Sequence, residues 1–467
     1  MKTHDSKREI VILGSGLGGL VAGTFLLKRG YSVSLLKEKR YRSFYATQGY
    51  RFTPFSSFSE KLIERRVLEE LSQELNVSLP ARKKEVGFQV LLPGARIDIS
   101  SNRKMLQREW KREFPTELAQ VEKFYEDLGS LELQARSSIR RRFSLEGIFG
   151  RRIDEGLSQF SKSFREFVRI QLISWGNFHG DRIPFTLGDY ILSRYVSDQL
   201  MLGIDREELQ TDLLNQFSQS GGRIEETERV EKVDKKWRKG FTVSTEDGGV
   251  LWCDCLIFSM PFHRLGAFLE KKSKILLNWG RKIRPRYVLF PFFLGIRERV
   301  VPVGMKDLLA SVFDLEKPYE GGNFLFLSLS PREDETKAPE GKRALTVESP
   351  LPFGELDETL LAEHQKGVMK HLNHILPFLE SHMEFIDSNW GREQILRWSY
   401  PHFGHEVTYD FNWRKGIVPA RISRNLYFVG KENAPYLGLE GEIRTGLKIG
   451  RLIAGEKAIK DHYKMVN

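Results

Sequence analysis

The sequence predicts an α/β protein in which a doubly wound, mostly parallel sheet is joined to a second α+β domain of mixed sheet and helices. Two glycine-rich units, at residues 10–30 and 425–446, lie at opposite ends of the chain. The length of 467 residues is too great for one compact core. The parallel sheet is therefore predicted to be built from discontinuous segments.

The first glycine-rich unit has the layout of a dinucleotide-binding turn. Residues 10–13 are apolar, as in a buried parallel strand, and residues 17–28 carry apolar side chains at helical spacing. Gly14 permits a tight turn, Gly16 lets the backbone approach a pyrophosphate, and Gly19 lets the helix pack on the strand. The start of the helix directs N–H groups at an anion. The predicted phosphate-binding residues are Gly14, Ser15, Gly16, Leu17, Gly18 and Gly19.

The end of the second predicted strand, over residues 33–36, departs from this layout. An acidic residue is expected there, where it accepts hydrogen bonds from the ribose hydroxyls. Alignment places Lys37 at this position, followed by Glu38 and Lys39, and a lysine cannot accept a hydrogen bond. Either the strand end shifts by one residue and Glu38 binds the ribose, or the ribose is held differently. A lysine there could also favour a 2′-phosphate, as on NADP.

Further segments match a known family when they are taken together with the glycine-rich units. They are residues 49–53 (GYRFT), 209–233, 253–261 (CDCLIFSMP), 398–405 and 425–446. On these segments the chain resembles the flavin-containing amine oxidase and phytoene desaturase superfamily. The resemblance implies a Rossmann-like FAD-binding domain, an FAD cofactor and oxidoreductase activity. It also implies cofactor contacts at Val230, Gly430, Lys431, Gly438, Leu439 and Glu440.

Three features near the expected flavin depart from the family pattern. Lys431, followed by Glu432, stands where the family has an acid that bonds the ribityl chain. No Gly-Gly-Arg element lies between residues 41 and 48, and Phe55 replaces a usual small residue. These departures motivate an alternative in which the protein keeps the fold, has lost flavin chemistry and serves as a binding or assembly partner.

The domain boundaries follow from the positions of these segments. The dinucleotide-binding domain is predicted to cover 1–100, 203–270 and 416–467, and the substrate domain 101–202 and 271–415. The longest apolar run, residues 287–296, is shorter than the roughly 20 residues that a spanning helix needs. We predict one or two strands there.

Composition indicates a globular protein with a basic surface. Apolar residues make up 40% of the chain, aromatic residues 12%, and the net charge is +11. This charge favours an anionic partner or serves solubility alone. The two cysteines, Cys253 and Cys255, are predicted to be buried thiols, and so few cysteines indicate either a reducing compartment or indifference to the compartment's redox state. The chain shows no signal-peptide pattern, and we expect a cytoplasmic location.

Residues 136–170 interleave nine basic residues with aromatic and aliphatic ones. This pattern suits peripheral association with an anionic surface on the inner face of a membrane. It also suits an amphipathic helix pair packed on the domain with its arginines in solvent. No recognised nucleic-acid module accompanies it, so no nucleic-acid partner is expected.

No catalytic residue can be named from the pattern, because many members of the resembled family use no acid–base side chain. Trp398, Tyr400, His402 and His405 are candidates to wall the substrate, and a histidine there could move a proton near neutral pH. The alternative is that they are packing and turn residues. His371 and His374 share a helix face and are expected at the surface, and no metal site is predicted.

The function expected from the resemblance is an FAD-dependent oxidoreductase of desaturase, dehydrogenase or isomerase type. Its expected substrate is a small hydrophobic polyene or lipid, which can come from a membrane. The reaction is expected to proceed by hydride transfer from this substrate to the flavin. An amine or a porphyrinogen-like molecule is the alternative substrate. The pattern predicts no oligomeric state and no electron acceptor.

Overall fold

The structure of the protein is a computed structural model. It describes residues 8–39, 44–53, 62–76, 87–100, 102–128, 152–180, 182–196, 201–236, 240–268, 278–279, 281–352, 354, 357–397, 402–408 and 416–456.

The helices of the described residues have the following bounds: α1 Leu17–Lys28, α2 Arg65–Leu75, α3 Arg103–Glu113, α4 Leu118–Asp127, α5 Ile153–Leu157, α6 Lys162–Gly176, α7 Phe185–Val196, α8 Arg206–Gln219, α9 Phe262–Phe268, α10 Glu358–Ile375, α11 Leu379–His382, α12 Asn389–Arg397 and α13 Leu439–Ala454.

The strands have the following bounds: β1 Glu9–Leu13, β2 Ser32–Glu38, β3 Tyr45–Thr47, β4 Tyr50–Phe52, β5 Leu62–Glu64, β6 Phe88–Leu92, β7 Ala95–Ile99, β8 Met201–Gly203, β9 Arg223–Thr227, β10 Val230–Lys236, β11 Gly240–Thr245, β12 Val250–Cys253, β13 Cys255–Phe258, β14 Ile283–Arg284, β15 Tyr287–Arg297, β16 Leu308–Val312, β17 Phe324–Leu329, β18 Lys342–Pro352, β19 Met383–Asp387, β20 His402–Phe403, β21 Glu406–Val407, β22 Arg421–Ser423 and β23 Leu426–Phe428.

A six-stranded sheet forms the first domain, in the order β22-β23-β13-β1-β2-β9. All neighbouring strands from β23 to β9 pair in parallel, and only β22 runs antiparallel to its neighbour. The parallel strands come from three separated parts of the chain. The predicted α/β class with a mostly parallel, discontinuous sheet is confirmed.

Both faces of this sheet are buried. On one face, α1 packs against α8 and α13 over a core that includes Ile10, Ile12 and Phe217. The opposite face, with Val11 and Leu13, belongs to a core that continues into the second domain. Burial on both faces explains why residues 10–13 are apolar without alternation.

The second domain is built on a sheet in the order β19-β15-β18-β17-β16-β6-β7, with β20 also paired to β15. The predicted strand structure of residues 287–296 is confirmed, as the single long strand β15. Pro291 lies between the residues that pair with β20 and those that pair with β19, so its missing N–H interrupts neither of these ladders.

The hairpin of β6 and β7 differs from the predicted domain boundary, which placed residues up to 100 in the first domain. Its strand β6 pairs in parallel with β16 and so extends the second sheet. Phe88, Val90 and Ile97 are buried there. The cause is a non-local pairing that carries no signal in the local sequence.

The described part of the basic and aromatic segment, residues 152–170, packs on the second domain. Phe160, Phe164 and Phe167 are buried, and Arg169 pairs with Asp154 at 2.9 Å. Residues 136–151, which include most of the predicted membrane-facing arginines, lie outside the described residues. Of the helices that the structure describes, none has the length and apolar content needed to cross a bilayer.

Candidate dinucleotide site

The glycine turn connects β1 to α1 at the end of the parallel sheet. Gly14 has φ +91°, a left-handed conformation that favours glycine, and its N–H donates to the Leu36 carbonyl at 2.9 Å. Gly16 stands at the N-cap of α1 and has no side chain that could accept from the first-turn N–H groups. The turn therefore keeps a helix N-terminus available for an anion.

Ser259, directly after β13, explains why the turn needs glycine. A Cβ on Gly16 would lie 2.6 Å from the Ser259 hydroxyl, and a Cβ on Gly19 would lie 2.5 Å from it. On Gly14 it would lie 2.5 Å from the Ser259 carbonyl oxygen. The glycines thus serve packing against this strand end, beside the predicted approach of a pyrophosphate. Ser259 lies in the matched segment 253–261, but its type alone did not point to this contact.

Glu38, the last residue of β2, is buried, whereas the side chains of Lys37 and Lys39 are 29% and 50% exposed. Lys37 pairs with Glu226 on β9 and Lys39 with Glu228, each at 3.1 Å. Because successive strand residues face opposite sides, Glu38 lies on the face away from Lys37. Of the three predicted alternatives, this arrangement favours Glu38 as the carboxylate at the end of the strand.

The Glu38 carboxylate is held by two partners. Its Oε1 accepts from the Val230 N–H at 2.9 Å and from Arg264 Nη2 at 2.9 Å. Its Oε2 accepts from Arg264 Nη1 at 2.6 Å. The structure therefore brings together Glu38 and Val230, two predicted cofactor contacts. It adds Arg264, which the sequence analysis missed because an arginine on a short helix carries no local signal.

At the second position where the family has an acid, the glutamate that follows the lysine is again the buried residue. Lys431 is half-buried, while Glu432 is buried and accepts from the Phe262 N–H at 3.0 Å. Burial raises the pKa of the Glu432 carboxyl. Phe262 is the first residue of α9, and Arg264 lies in the same helix. Both glutamates that follow a lysine at an expected acid position thus contact α9.

The second glycine-rich unit, residues 425–446, comes back to the glycine turn through helix α13. Gly430 follows β23, while Gly438 precedes the helix and Leu439 begins it. A Cβ on Gly446 would lie 2.4 Å from the Gly18 carbonyl oxygen, so the two helices approach backbone to backbone. The two ends of the chain that the sequence analysis singled out therefore meet at one site.

Glu440 anchors the start of α13 to the second domain. It pairs with Arg194 of α7 and accepts from Arg444 Nε at 2.7 Å. Burial acts to raise the pKa of the Glu440 carboxyl, but Arg194 and Arg444 outweigh it and hold the pKa below its usual value. This predicted cofactor contact is therefore a buried, ionised link between the domains.

The second domain places one predicted wall residue in the core. His405 is buried, its ring lies 6.4 Å from those of Phe178 and Trp279, and its Nδ1 is 3.3 Å from the Asn177 carbonyl oxygen. Burial lowers the pKa of His405 to about 4, which does not suit proton transfer near neutral pH. Trp398, Tyr400 and the His402 side chain lie outside the described residues.

The expected surface position of the His371 and His374 pair is wrong for His371. That residue is buried, with its Nε2 2.8 Å from the Ser311 hydroxyl and its Nδ1 2.9 Å from the Gly322 carbonyl oxygen. Only tertiary packing against β16 makes this face of α10 internal. Within the described ranges, no three His, Cys, Asp or Glu side chains are grouped as metal ligands.

The fold and this site define a two-domain protein with a dinucleotide-type α/β domain. No protein-family model matches the sequence, and no curated protein matches it. Among solved structures, an oxidoreductase from Methanosarcina mazei is similar, with a TM-score of 0.63 and 16% identity, over 94% of this chain and 99% of that one.

Two further solved structures share this fold. Putrescine oxidase bound to putrescine has a TM-score of 0.64 and 14% identity, over 96% of this chain and 99% of that one. RAB GDI from Plasmodium falciparum has a TM-score of 0.58 and 12% identity, over 97% and 99%. The two-domain fold that the resemblance implied is confirmed by these similar structures.

Proposed function

We propose that this protein is an FAD-dependent oxidoreductase. The observation that carries the proposal is the buried Glu38 at the end of β2, on the edge of the sheet where the β1–α1 glycine turn lies. Parallel α/β sheets bind dinucleotides at this edge, with the pyrophosphate on the helix N-terminus and the ribose on an acid that ends the second strand. The shared fold with an oxidoreductase and with putrescine oxidase supports it.

The residues present fit an adenine dinucleotide in type and position, although three of the about four acceptor sites of Glu38 are already taken within the chain. The turn from Gly14 to Gly19 offers backbone N–H groups for the phosphates, and Glu38 offers carboxylate oxygens for the ribose. FAD would supply the hydride acceptor, because the hard chemistry of such enzymes belongs to the cofactor. The protein would bind and orient the FAD, and the Arg194–Glu440 pair would hold helix α13 against the second domain.

The substrate proposal remains a small hydrophobic molecule of polyene or lipid type, as the family resemblance implies. Support comes from an aromatic cluster inside the second domain, where Tyr319 stacks on Phe324 at 4.6 Å and Phe324 on Phe403 at 6.4 Å. An amine substrate is favoured by one specific observation, the similarity to putrescine oxidase bound to putrescine. Substrate-dependent bleaching of flavin absorbance under anaerobic conditions separates the two classes.

A function without flavin chemistry is the second candidate. It is favoured by the Glu38 carboxylate, which this chain's own Arg264 and Val230 already engage. In that case the protein would serve as a binding or assembly partner.

The visible spectrum of the purified protein tests the proposal. Bound oxidised flavin is expected to give maxima near roughly 375 and 450 nm, and heat release should yield FAD. Glu38→Gln removes a charged acceptor worth about 1.5–3 kcal/mol, so FAD binding should weaken roughly 10- to 150-fold. The matched control Lys37→Gln, one residue away with its side chain paired to Glu226 on the opposite face of the strand, should bind as the parent does. A parent protein that is colourless when purified and does not bind added FAD would overturn the proposal.

A further inference from the structure

Most of the hydrogen-bond acceptor sites of the Glu38 carboxylate are already occupied by groups of the protein itself. A carboxylate has about four lone-pair sites, and three are taken here, two by Arg264 and one by the Val230 N–H. Two vicinal ribose hydroxyls need two acceptor sites. The carboxylate therefore lacks the capacity to hold the ribose through both hydroxyls while the Arg264 fork remains in place.

Arg264 is positioned for this engagement from two sides. It is buried, and its Nη1 lies 3.1 Å from Met260 Sδ. Met260 in turn packs beside the glycine turn, since a Cβ on Gly14 would lie 2.6 Å from its Cγ. At the other side, Glu432 holds the first N–H of α9 at 3.0 Å. The guanidinium thus lies between the end of β2 and the glycine turn.

We propose that Arg264 determines the affinity of the adenosine subsite by competing with the ribose for Glu38. Binding of an adenine dinucleotide then requires the guanidinium to release at least one carboxylate oxygen. The bidentate fork is the relevant property, because only a planar guanidinium covers both carboxylate oxygens at once. The inference rests on the proposed function, since it concerns the same site.

The test compares the parent with Arg264→Met and Arg264→Lys. Methionine removes the competitor, whereas lysine keeps the charge beside Glu38 but cannot cover both oxygens. Arg451→Lys is the matched control, because Arg451 is also buried in the first domain and pairs with two glutamates, Glu70 and Glu74, at the far end of α13. Titration calorimetry with FAD, with ADP and with 2′,5′-ADP gives the affinities, and circular dichroism checks folding.

FAD and ADP should bind about tenfold or more tightly to the Arg264 variants than to the parent, as one recovered charge-assisted hydrogen bond implies. The Arg451→Lys control should match the parent. If Arg264→Met does not fold, Arg264→Lys decides alone.

The remaining outcomes separate this inference from the proposed function. Equal or weaker FAD and ADP binding in the Arg264 variants overturns the competition, while a flavin-loaded parent still supports the proposed function. A selective loss of 2′,5′-ADP binding in the variants, without a gain for FAD, makes Arg264 a phosphate ligand and also overturns it. Binding by the variants but not by the parent supports the competition and overturns the native flavoenzyme. Binding by none overturns both.

Discussion

Three histidines, His364, His371 and His405, lie buried in the second domain, and burial lowers the pKa of each to about 4. The His364 ring stacks on Phe292 at 6.0 Å, and within the described residues neither of its nitrogens has a hydrogen-bond partner. All three are therefore neutral at pH 7. Their tie to function is indirect, through the acid stability of the domain that would hold the substrate.

This burial predicts a loss of stability in mild acid. A histidine with a folded-state pKa near 4 and an ordinary value of 6.5 takes up its proton in the unfolded chain first. The free energy of unfolding should therefore fall as the pH drops from about 6.5 to about 4, by up to about 3 kcal/mol per histidine. His364→Phe should flatten this decline, measured by denaturant unfolding at pH 7, 5.5 and 4.5.

His374→Gln on the same helix is the control for this prediction, because His374 is exposed. Its unfolding should depend on pH as the parent's does. Parallel pH profiles for the parent and His364→Phe would contradict the prediction.

The candidate site was predictable from sequence only where its geometry is local. The spacing of Gly14, Gly16 and Gly19 lies within one turn, so the strand–turn–helix unit could be predicted. Glu38 and Arg264 are separated by 226 residues, and no short-range pattern links them. The burial of His371 is likewise non-local, because it depends on contacts with Ser311 of β16 and with Gly322 just before β17. The sequence of its own helix gives no sign of these contacts.

At the scale of elements, the contact between α1 and α13 joins the two glycine-rich units. It depends on Gly446, where a Cβ would lie 2.4 Å from the Gly18 carbonyl oxygen and 3.0 Å from Val21 Cβ. Backbone atoms cannot rotate aside as a long side chain can. The close approach thus requires glycine even inside a helix, where it is intrinsically unfavourable.

Gly446→Ala should therefore destabilise the protein and weaken FAD binding together. Overpacking at such a contact costs about 1–3 kcal/mol, which exceeds the gain in helix propensity of up to about 1 kcal/mol. Denaturant unfolding and bound-flavin content measure the two effects. Lys448→Ala, on the exposed face of the same helix, should leave both unchanged. A more stable Gly446→Ala variant with full flavin content would contradict the packing argument.

The sequence predicted the positions of strands and helices better than it predicted which strands pair with each other. Residues 209–233, one of the segments that carry the family resemblance, lie in α8, β9 and the start of β10, and β9 pairs with β2 as an added parallel strand. The β6–β7 hairpin was assigned to the wrong domain, because its parallel partner β16 lies far downstream. Local apolar patterns identify strands, whereas sheet membership depends on pairing between distant segments.

At the scale of the whole molecule, the net charge of +11 and the arginines of residues 136–170 predict binding to anionic membranes. Each basic residue near such a surface contributes about 1 kcal/mol, and salt screens the attraction. Co-sedimentation with liposomes should rise with anionic lipid and fall with added salt. Replacing Arg140, Arg141 and Arg142 by Gln should reduce it sharply.

A control with the same loss of charge is Lys104, Arg108 and Lys111 replaced by Gln on the exposed side of α3. It should retain most of the binding. If the parent fails to bind anionic liposomes at low salt, or if both triple variants lose binding equally, the segment is not a docking site.

The interleaved strand order of the first sheet has a consequence for synthesis of the protein. Its central strand β1 begins at Glu9, but β23 ends only at Phe428. At 5–20 residues per second, a ribosome needs roughly 20 to 80 s to travel between them. From the completion of β13 at Phe258 until the last strand is made, roughly 9 to 34 s at the same rate, β13 offers an unpaired apolar edge, which is prone to join other chains. We therefore expect this protein to depend on chaperones that shield the nascent sheet until its last strand arrives.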